Sequence, residues 1–370
     1  MMNDWFWRLQ TQLQPPRALL PGQEVWIFGC GLFGRALAQA CAQQGIRVRG
    51  FIQTEPTTTS LDGLPVTSWS GLSAHDYDCP LLIGIHNYLM LMDGLVHLAR
   101  QAGFRTVLPP WDSYAQFRAA LGWRYWLSSP QYLAQHADDL RRTHSRLADD
   151  TSQQCLERVV AFRMGLDLAY AGFAHPEPQY FNQITLPPLR HTGDPLRYLD
   201  GGAYNGDSLR QLLQLASVER AWLFEPDPAN FALLRHQVSV AKVRGHCVPL
   251  GLSDQYAVLR FEGQQGTAGT IRPDGDDCIA TVAVDDLLAG EGIDLLKFDI
   301  EGAEAAALRG AAHTLRSSRP VLAISAYHRP DDLWQLPDLI SDICPDYTFY
   351  LRQHAGNSFE LVLYAVPNSR

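Results

Sequence analysis

A glycine-rich corner with acids built into it constrains this chain more than any other stretch. Residues 198–207 read Tyr-Leu-Asp-Gly-Gly-Ala-Tyr-Asn-Gly-Asp, a short apolar strand entering a turn flanked by Asp200 and Asp207. One predicted helix later, Trp222-Leu223-Phe224 forms a second apolar run that ends in Glu225 and Pro226. Acids at the carboxyl ends of adjacent strands are how an open α/β sheet holds a nucleoside. A loop for pyrophosphate instead offers bare backbone N–H groups without negative neighbours. The acids here suit a cationic ligand, and S-adenosylmethionine carries both an ammonium and a sulfonium. Glu225 stands where a carboxylate accepts both ribose hydroxyls. The corner therefore predicts a methyl-transfer site.

The 370 residues suffice for two domains, with a composition (46% hydrophobic, 19% charged) ordinary for a globular protein. The formal charge of -9 and the lack of any Lys/Arg cluster beyond Arg141-Arg142 argue against a polynucleotide partner. Seven scattered cysteines (30, 41, 79, 155, 247, 278, 344) without a CxxC pair fit reduced thiols, not a zinc or disulfide framework. The first residues lack a basic n-region and an apolar h-region, and no apolar run approaches the roughly 18 residues of a membrane span. A cytoplasmic location is the expectation, and the sequence leaves homo-oligomerisation open.

Along the chain, two α/β units are expected. In residues 1–110 strands are predicted at 24–28, 46–52, 81–85 and 106–108, with helices at 35–44 and 88–102, giving a small Rossmann-like domain. Gly45 should end the first of those helices as a left-handed cap. Residues 111–178 read as a helical bridge, including an amphipathic helix at 151–168, and the aromatic stripe from Trp111 to Trp126 reads as core. Residues 179–370 alternate strands and helices, with strands predicted at 197–200, 221–225, 247–252, 295–299 and 321–326. The last two strands, 347–352 and 360–366, are joined by seven residues, too few for a parallel crossover. They must form an antiparallel hairpin on an otherwise parallel sheet, the ending of a class I methyltransferase. The fold class is thus α/β: that sheet, preceded by the smaller domain and the bridge.

Candidate site residues follow from position. In the corner, Asp200 orders the loop and meets the ligand's ammonium, directly or through water, Gly201, Gly202 and Gly206 let the ligand approach the backbone closely, and Ala203, Tyr204 and Asn205 complete the cofactor-binding loop. Asp207 either touches the ligand or caps the following helix. After the third strand of this unit, Ser253 and Asp254 either reach the adenine amine or form a turn. In Lys297-Phe298-Asp299-Ile300-Glu301, the period-two rule gives Lys297, Asp299 and Glu301 one facing at a strand's carboxyl end. They are ligand-side groups or a structural ion cluster. Asp299 and Glu301 could hold a hard cation, but no full ligand set is visible and none is expected. His328 closes the next strand on the same rim. A hydroxyl acceptor must lose a proton, so His328 is the candidate base, with Asp299 next and a capping histidine as the alternative.

In the first unit, Gly29, Gly31 and Gly34 match the dinucleotide fingerprint between strand and helix. The strand-end acid that would hold an NAD ribose is replaced by Gln53, with Glu55 two residues on. A nucleotide-sugar pocket, a bare scaffold and an NAD(P)-dependent oxidoreductase site remain the readings of that loop.

The C-terminal half resembles the FkbM-type family of S-adenosylmethionine-dependent O-methyltransferases. The resemblance is carried by QYF (179–181), YLDGGAYNGDS (198–208), FEPDPANF (224–231), VDDLL (284–288), IDLLKFDIEGAEAAALRGA (293–311), YHRPDDLW (327–334) and ELVLYA (360–365). It implies a class I fold, S-adenosylmethionine as donor, and a hydroxyl acceptor on a sugar, glycoconjugate or related metabolite. By that likeness Asp200, Gly202 and Glu225 serve the cofactor, and Asp299, Glu301 and His328 border the acceptor. The N-terminal FGCGLFG, GFIQTEP (50–56) and GLPV (63–66) resemble the Rossmann domains of sugar-modifying enzymes, which handle nucleotide-linked sugars.

Overall fold

The computed structural model describes residues 4–368 except 16, 171–172, 191–193, 242, 263–269, 272–276 and 289. It divides into two compact units: residues 1–141, 154–174 and 355–359 in the first, and 142–153, 175–354 and 360–370 in the second.

In the first unit, β1 (Glu24–Phe28), β2 (Arg47–Ile52), β3 (Ser60–Leu61), β4 (Leu64–Thr67), β5 (Leu81–Ile83) and β6 (Val107–Leu108) form one sheet. Its order is β3-β4-β2-β1-β5-β6, parallel throughout except for β3 against β4. The order reverses beside β1, the strand that enters the glycine loop. The following helix, Leu32–Gln43, ends as the sequence predicts: Gly45 has φ +71 and the Ile46 N–H returns to the Cys41 carbonyl at 2.9 Å. The β3–β4 hairpin was not expected. Its two-residue turn is Asp62-Gly63, both left-handed (φ +51 and +78), which is the Asp-Gly hairpin signal.

Two predicted helix bounds shift for local reasons. The helix expected at 88–102 is Met92–Ala102, because Asn87 Oδ1 accepts the Leu89 and Met90 N–H groups at 3.0 Å and holds a turn instead. The helix expected at 151–168 is Asp150–Arg163, and Gly165 (φ +72) turns the chain away. Within this unit Trp111 and Trp126 are buried edge-on against Phe162, at 5.4 and 5.7 Å between ring centroids. That part of the aromatic stripe is core.

In the second unit, β7 (Leu196–Gly201), β8 (Val218–Phe224), β9 (Arg244–Val248), β10 (Gly251–Leu252), β11 (Ala257–Glu262), β12 (Thr270–Ile271), β13 (Asp277–Val282), β14 (Leu295–Phe298), β15 (Val321–Ser325), β16 (Tyr347–Gln353) and β17 (Leu361–Pro367) form two sheets. The larger runs β16-β17-β15-β14-β7-β8-β9. It is parallel from β15 to β9, while β17 pairs antiparallel with both β15 and β16, the predicted terminal hairpin. Tyr198, Leu199, Leu295, Leu296, Phe298 and Val321 to Ile324 are essentially inaccessible, as befits strands covered on both faces. The single strand expected at 247–252 is divided. Pro249 has no N–H to continue a ladder, so β9 stops at Val248 and β10 joins the smaller sheet β10-β13-β11-β12.

Candidate active site

Both halves of the candidate site lie on one rim of the larger sheet, where β7, β8, β14 and β15 end. At the end of β7, Gly202 is left-handed (φ +73), and a Cβ there would lie 1.9 Å from the Asp299 carbonyl oxygen. The Gly202 and Ala203 N–H groups both donate to the Phe224 carbonyl, at 3.0 and 2.9 Å. The loop glycines thus let the loop close onto its own neighbours. Tyr204 is left-handed as well (φ +46), and its N–H donates to Glu225 Oε2 at 2.9 Å. Glu225 Oε1 accepts the Asp227 N–H at 2.9 Å. With Pro226 fixing the chain behind it, the Glu225 carboxylate is held by backbone through both oxygens, and burial raises its affinity for a proton. Each oxygen keeps a lone pair for a further donor. On the same loop Asn205 Oδ1 is buried with no hydrogen-bond partner among the described residues.

Asp200 is fully buried. Ser208 Oγ donates to it, and Lys297 Nζ lies 3.0 Å from its Oδ1. Lys297 also donates to the Gly202 carbonyl at 2.7 Å. This pair underlies the loop, and Asp200 has no exposed surface. Asp207 is exposed and heads the helix Asp207–Leu215, its Oδ1 accepting the Ser208 N–H at 2.8 Å. That is the favourable place for an acid in a helix dipole. Asp254, exposed beyond β10, has Arg309 at 3.5 Å and Ser253 Oγ at 3.3 Å.

Lys297 and Asp299 meet the same neighbour, Tyr180, through its ring and its hydroxyl. The strand geometry ends only beyond them, where Glu301 is left-handed (φ +56) and breaks the alternation. Lys297 turns to Asp200, whereas Asp299 and Glu301 converge on His328, whose Nε2 lies 3.5 Å from Asp299 Oδ1 and 3.6 Å from Glu301 Oε2. His328 is fully buried, and its Nδ1 is 2.8 Å from Glu304 Oε1. Burial opposes its charge, but Glu304, Glu301 and Asp299 together carry its pKa well above the usual histidine value. Its surroundings therefore favour the protonated ring. Asp299 stays ionised despite burial because Lys297 and His328 pull its pKa down. Tyr180 donates to its Oδ2 at 2.9 Å and Tyr327 to its Oδ1 at 3.3 Å. Glu360 accepts from Gln179 at 2.6 Å and from Tyr327 at 3.3 Å. Among the described residues no group of three or more His, Cys, Asp or Glu side chains is arranged to hold a metal ion.

Residues 200–356 match the model of the methyltransferase FkbM domain. That stretch is similar to FkbM-type methyltransferase domains. Over 93% of this chain and 90% of its own, the structure solved as methyltransferase FkbM from Methylobacillus flagellatus KT superposes with a TM-score of 0.72 at 24% identity. Precorrin-6y C5,15-methyltransferase from Geobacter metallireducens GS-15 gives a TM-score of 0.31 at 13% identity, over 48% of this chain and 81% of that one. A putative O-methyltransferase from Klebsiella pneumoniae gives 0.33 at 17% identity, over 63% and 97%. No curated protein matches the chain by sequence. Among the described residues, no helix is long and apolar enough to cross a membrane.

Several residues of this rim were quoted in the sequence motifs without a role: Gln179, Tyr180, Glu304, Tyr327 and Glu360. Their signal was weak because each lies on an element far along the chain from the residue it serves. In the first unit, the glycine loop is closed by packing. A Cβ on Gly29 would lie 2.4 Å from Ile85, and one on Gly34 would lie 2.1 Å from the Gly29 carbonyl oxygen.

Proposed function

We propose that the FkbM-like domain moves a methyl group from S-adenosylmethionine to a hydroxyl of a sugar, glycoconjugate or related metabolite. The observation that carries the donor is Glu225, a carboxylate fixed by two backbone N–H groups at the end of the strand beside the glycine loop. The buried, unpartnered Asn205 Oδ1 on that loop fits a polar ligand there. Glu225 would hold the ribose, and Gly201 to Asn205 would line the nucleoside and amino-acid parts, with Asp200 and Lys297 ordering them from beneath. S-adenosylmethionine, when bound, supplies an electrophilic methyl group whose leaving sulfur needs no acid.

The acceptor side falls to Asp299, Glu301 and His328. Their surroundings are rich in carboxylates, which favours an acceptor that is neutral at the reacting hydroxyl. The saccharide class rests on the resemblance of the sequence motifs. Titration calorimetry with S-adenosylmethionine tests the donor. Glu225→Ala should weaken binding about 10- to 200-fold, the loss of a charge-assisted hydrogen bond of roughly 1.5–3 kcal/mol. Unchanged affinity would remove the donor from this rim. Release of S-adenosylhomocysteine with a panel of neutral methyl glycosides, against uronic acids and sugar phosphates, tests the acceptor.

A further inference from the structure

We propose that Glu301 is the group that takes the proton of the acceptor hydroxyl, and that His328 serves it as a fixed cation instead of acting as the base. This rests on the reading of the domain as a hydroxyl methyltransferase. In that transfer the hydroxyl O–H bond breaks and the freed pair becomes the new O–C bond. The C–S pair stays on sulfur, and the proton comes to rest on Glu301, later to leave to water.

The other groups on the rim are already committed. His328 is inaccessible and held at Nδ1 by Glu304, which is itself inaccessible and also accepts the Ile300 N–H at 2.9 Å. Asp299 accepts the Tyr180 hydroxyl, Glu360 accepts the Gln179 amide, and the one Tyr327 hydroxyl proton is shared between the two carboxylates, each 3.3 Å away. Glu301 differs. Its side chain keeps 20% of its surface, much as Asp299 keeps 26%, but its buried Oε2 has no hydrogen-bond partner among the described residues. Its backbone is left-handed at φ +56, a conformation costly for a residue with a Cβ, and Gly302 follows at φ +94. Such strain persists where the surroundings dictate it, and it gathers at functional sites. Here it swings the carboxylate out of the strand's alternation to face His328.

Electrostatics agree with this role. Burial, with His328 opposing and Asp299, Glu304 and Glu360 adding to it, pushes the Glu301 carboxyl up to about 8. A proton acceptor works best with an affinity near the working pH. Because the base must be ionised, turnover should rise with pH and level off above about 8. His328 is the cation that keeps the value from climbing further.

Two measurements decide the matter. Side-chain carboxyls of ¹³C-glutamate-labelled protein, followed by NMR, should show one group titrating near 8 that is missing in Glu301→Gln. Independently, S-adenosylhomocysteine release with molar glycerol as a generic hydroxyl probe should fall roughly 10²- to 10⁴-fold in Glu301→Gln. Donor affinity by calorimetry should stay within twofold, and the rise with pH should vanish. Glu301→Asp should recover part of the rate. His328→Gln should move the midpoint upward, whereas a histidine base would lose the pH dependence altogether. Glu301→Gln within threefold of wild type, or no glutamate titrating between about 7 and 9, overturns the proposal. If glycerol is not turned over, the titration alone decides. Failure of S-adenosylmethionine to bind sinks the donor reading and leaves the titration as the measure of Glu301.

Discussion

The chain contains two glycine corners of similar construction, and they differ in the charge around them. In the first unit Gly29, Gly31 and Gly34 join β1 to its helix, and Gln53 follows the neighbouring strand β2. In the second, Gly201, Gly202 and Gly206 join β7 to its helix, and Glu225 follows β8. Each loop has glycines that close packing requires, Gly29 and Gly34 in the first and Gly201 and Gly202 in the second. The second corner alone has an internal ion pair beneath it and a strand-end carboxylate fixed from two sides. What separates the two corners is charge placed at a cost in solvation, not glycine.

The sharpest way to break that contrast is to remove the charge beneath the second corner. Lys297→Met strands Asp200, which is inaccessible and held otherwise by the Ser208 hydroxyl. Loss of one partner from a buried pair costs about 3–5 kcal/mol. Urea denaturation should show a loss of that size, with most of it restored when Asp200→Asn is added. A Lys297→Met protein as stable as wild type would mean that the pair is not what holds the loop.

Next in size is Gly202→Ala. The added Cβ meets the Asp299 carbonyl oxygen at 1.9 Å, and the residue must also hold φ +73. The left-handed penalty of about 1–2 kcal/mol is compounded by displacement of either the loop or Asp299. Stability should fall by roughly 2–3 kcal/mol in the same assay. On the proposal that Asp299 borders the acceptor, donor affinity and turnover should both suffer. A variant that loses donor affinity alone would uncouple the two halves of the rim.

Legibility in the sequence follows the same division. Strands of the parallel core were readable because both faces are covered and their apolar runs are continuous, as in 221–224 and 321–324. The terminal hairpin was readable from loop length. Glu225 was readable because a strand-end acid needs only local order. The pairing of Lys297 with Asp200 was not, since it depends on β14 lying beside β7 in register. Nor was the setting of His328, which depends on Glu304 from a helix that precedes it by 24 residues. Period-two reasoning failed at Glu301 for a backbone reason: a left-handed residue ends the alternation, and nothing in the side-chain pattern announces it.

The smallest effects test the first corner. Gly34 lies inside the helix Leu32–Gln43, where alanine is normally favoured by up to about 1 kcal/mol over glycine. A Cβ there would sit 2.1 Å from the Gly29 carbonyl oxygen and 3.3 Å from that of Gly84, so Gly34→Ala should destabilise by roughly 1–3 kcal/mol despite its propensity. Gly31 is the opposite case. Its φ of -71 is open to any residue, a Cβ would meet nothing within 4 Å, and it caps the helix without a side chain to receive an N–H. Gly31→Ser supplies that acceptor and should be neutral or stabilising by a few tenths of a kcal/mol. If thermal melts show Gly31→Ser to be the more damaging of the two, packing does not account for this loop, and the first corner would be reopened as a ligand site.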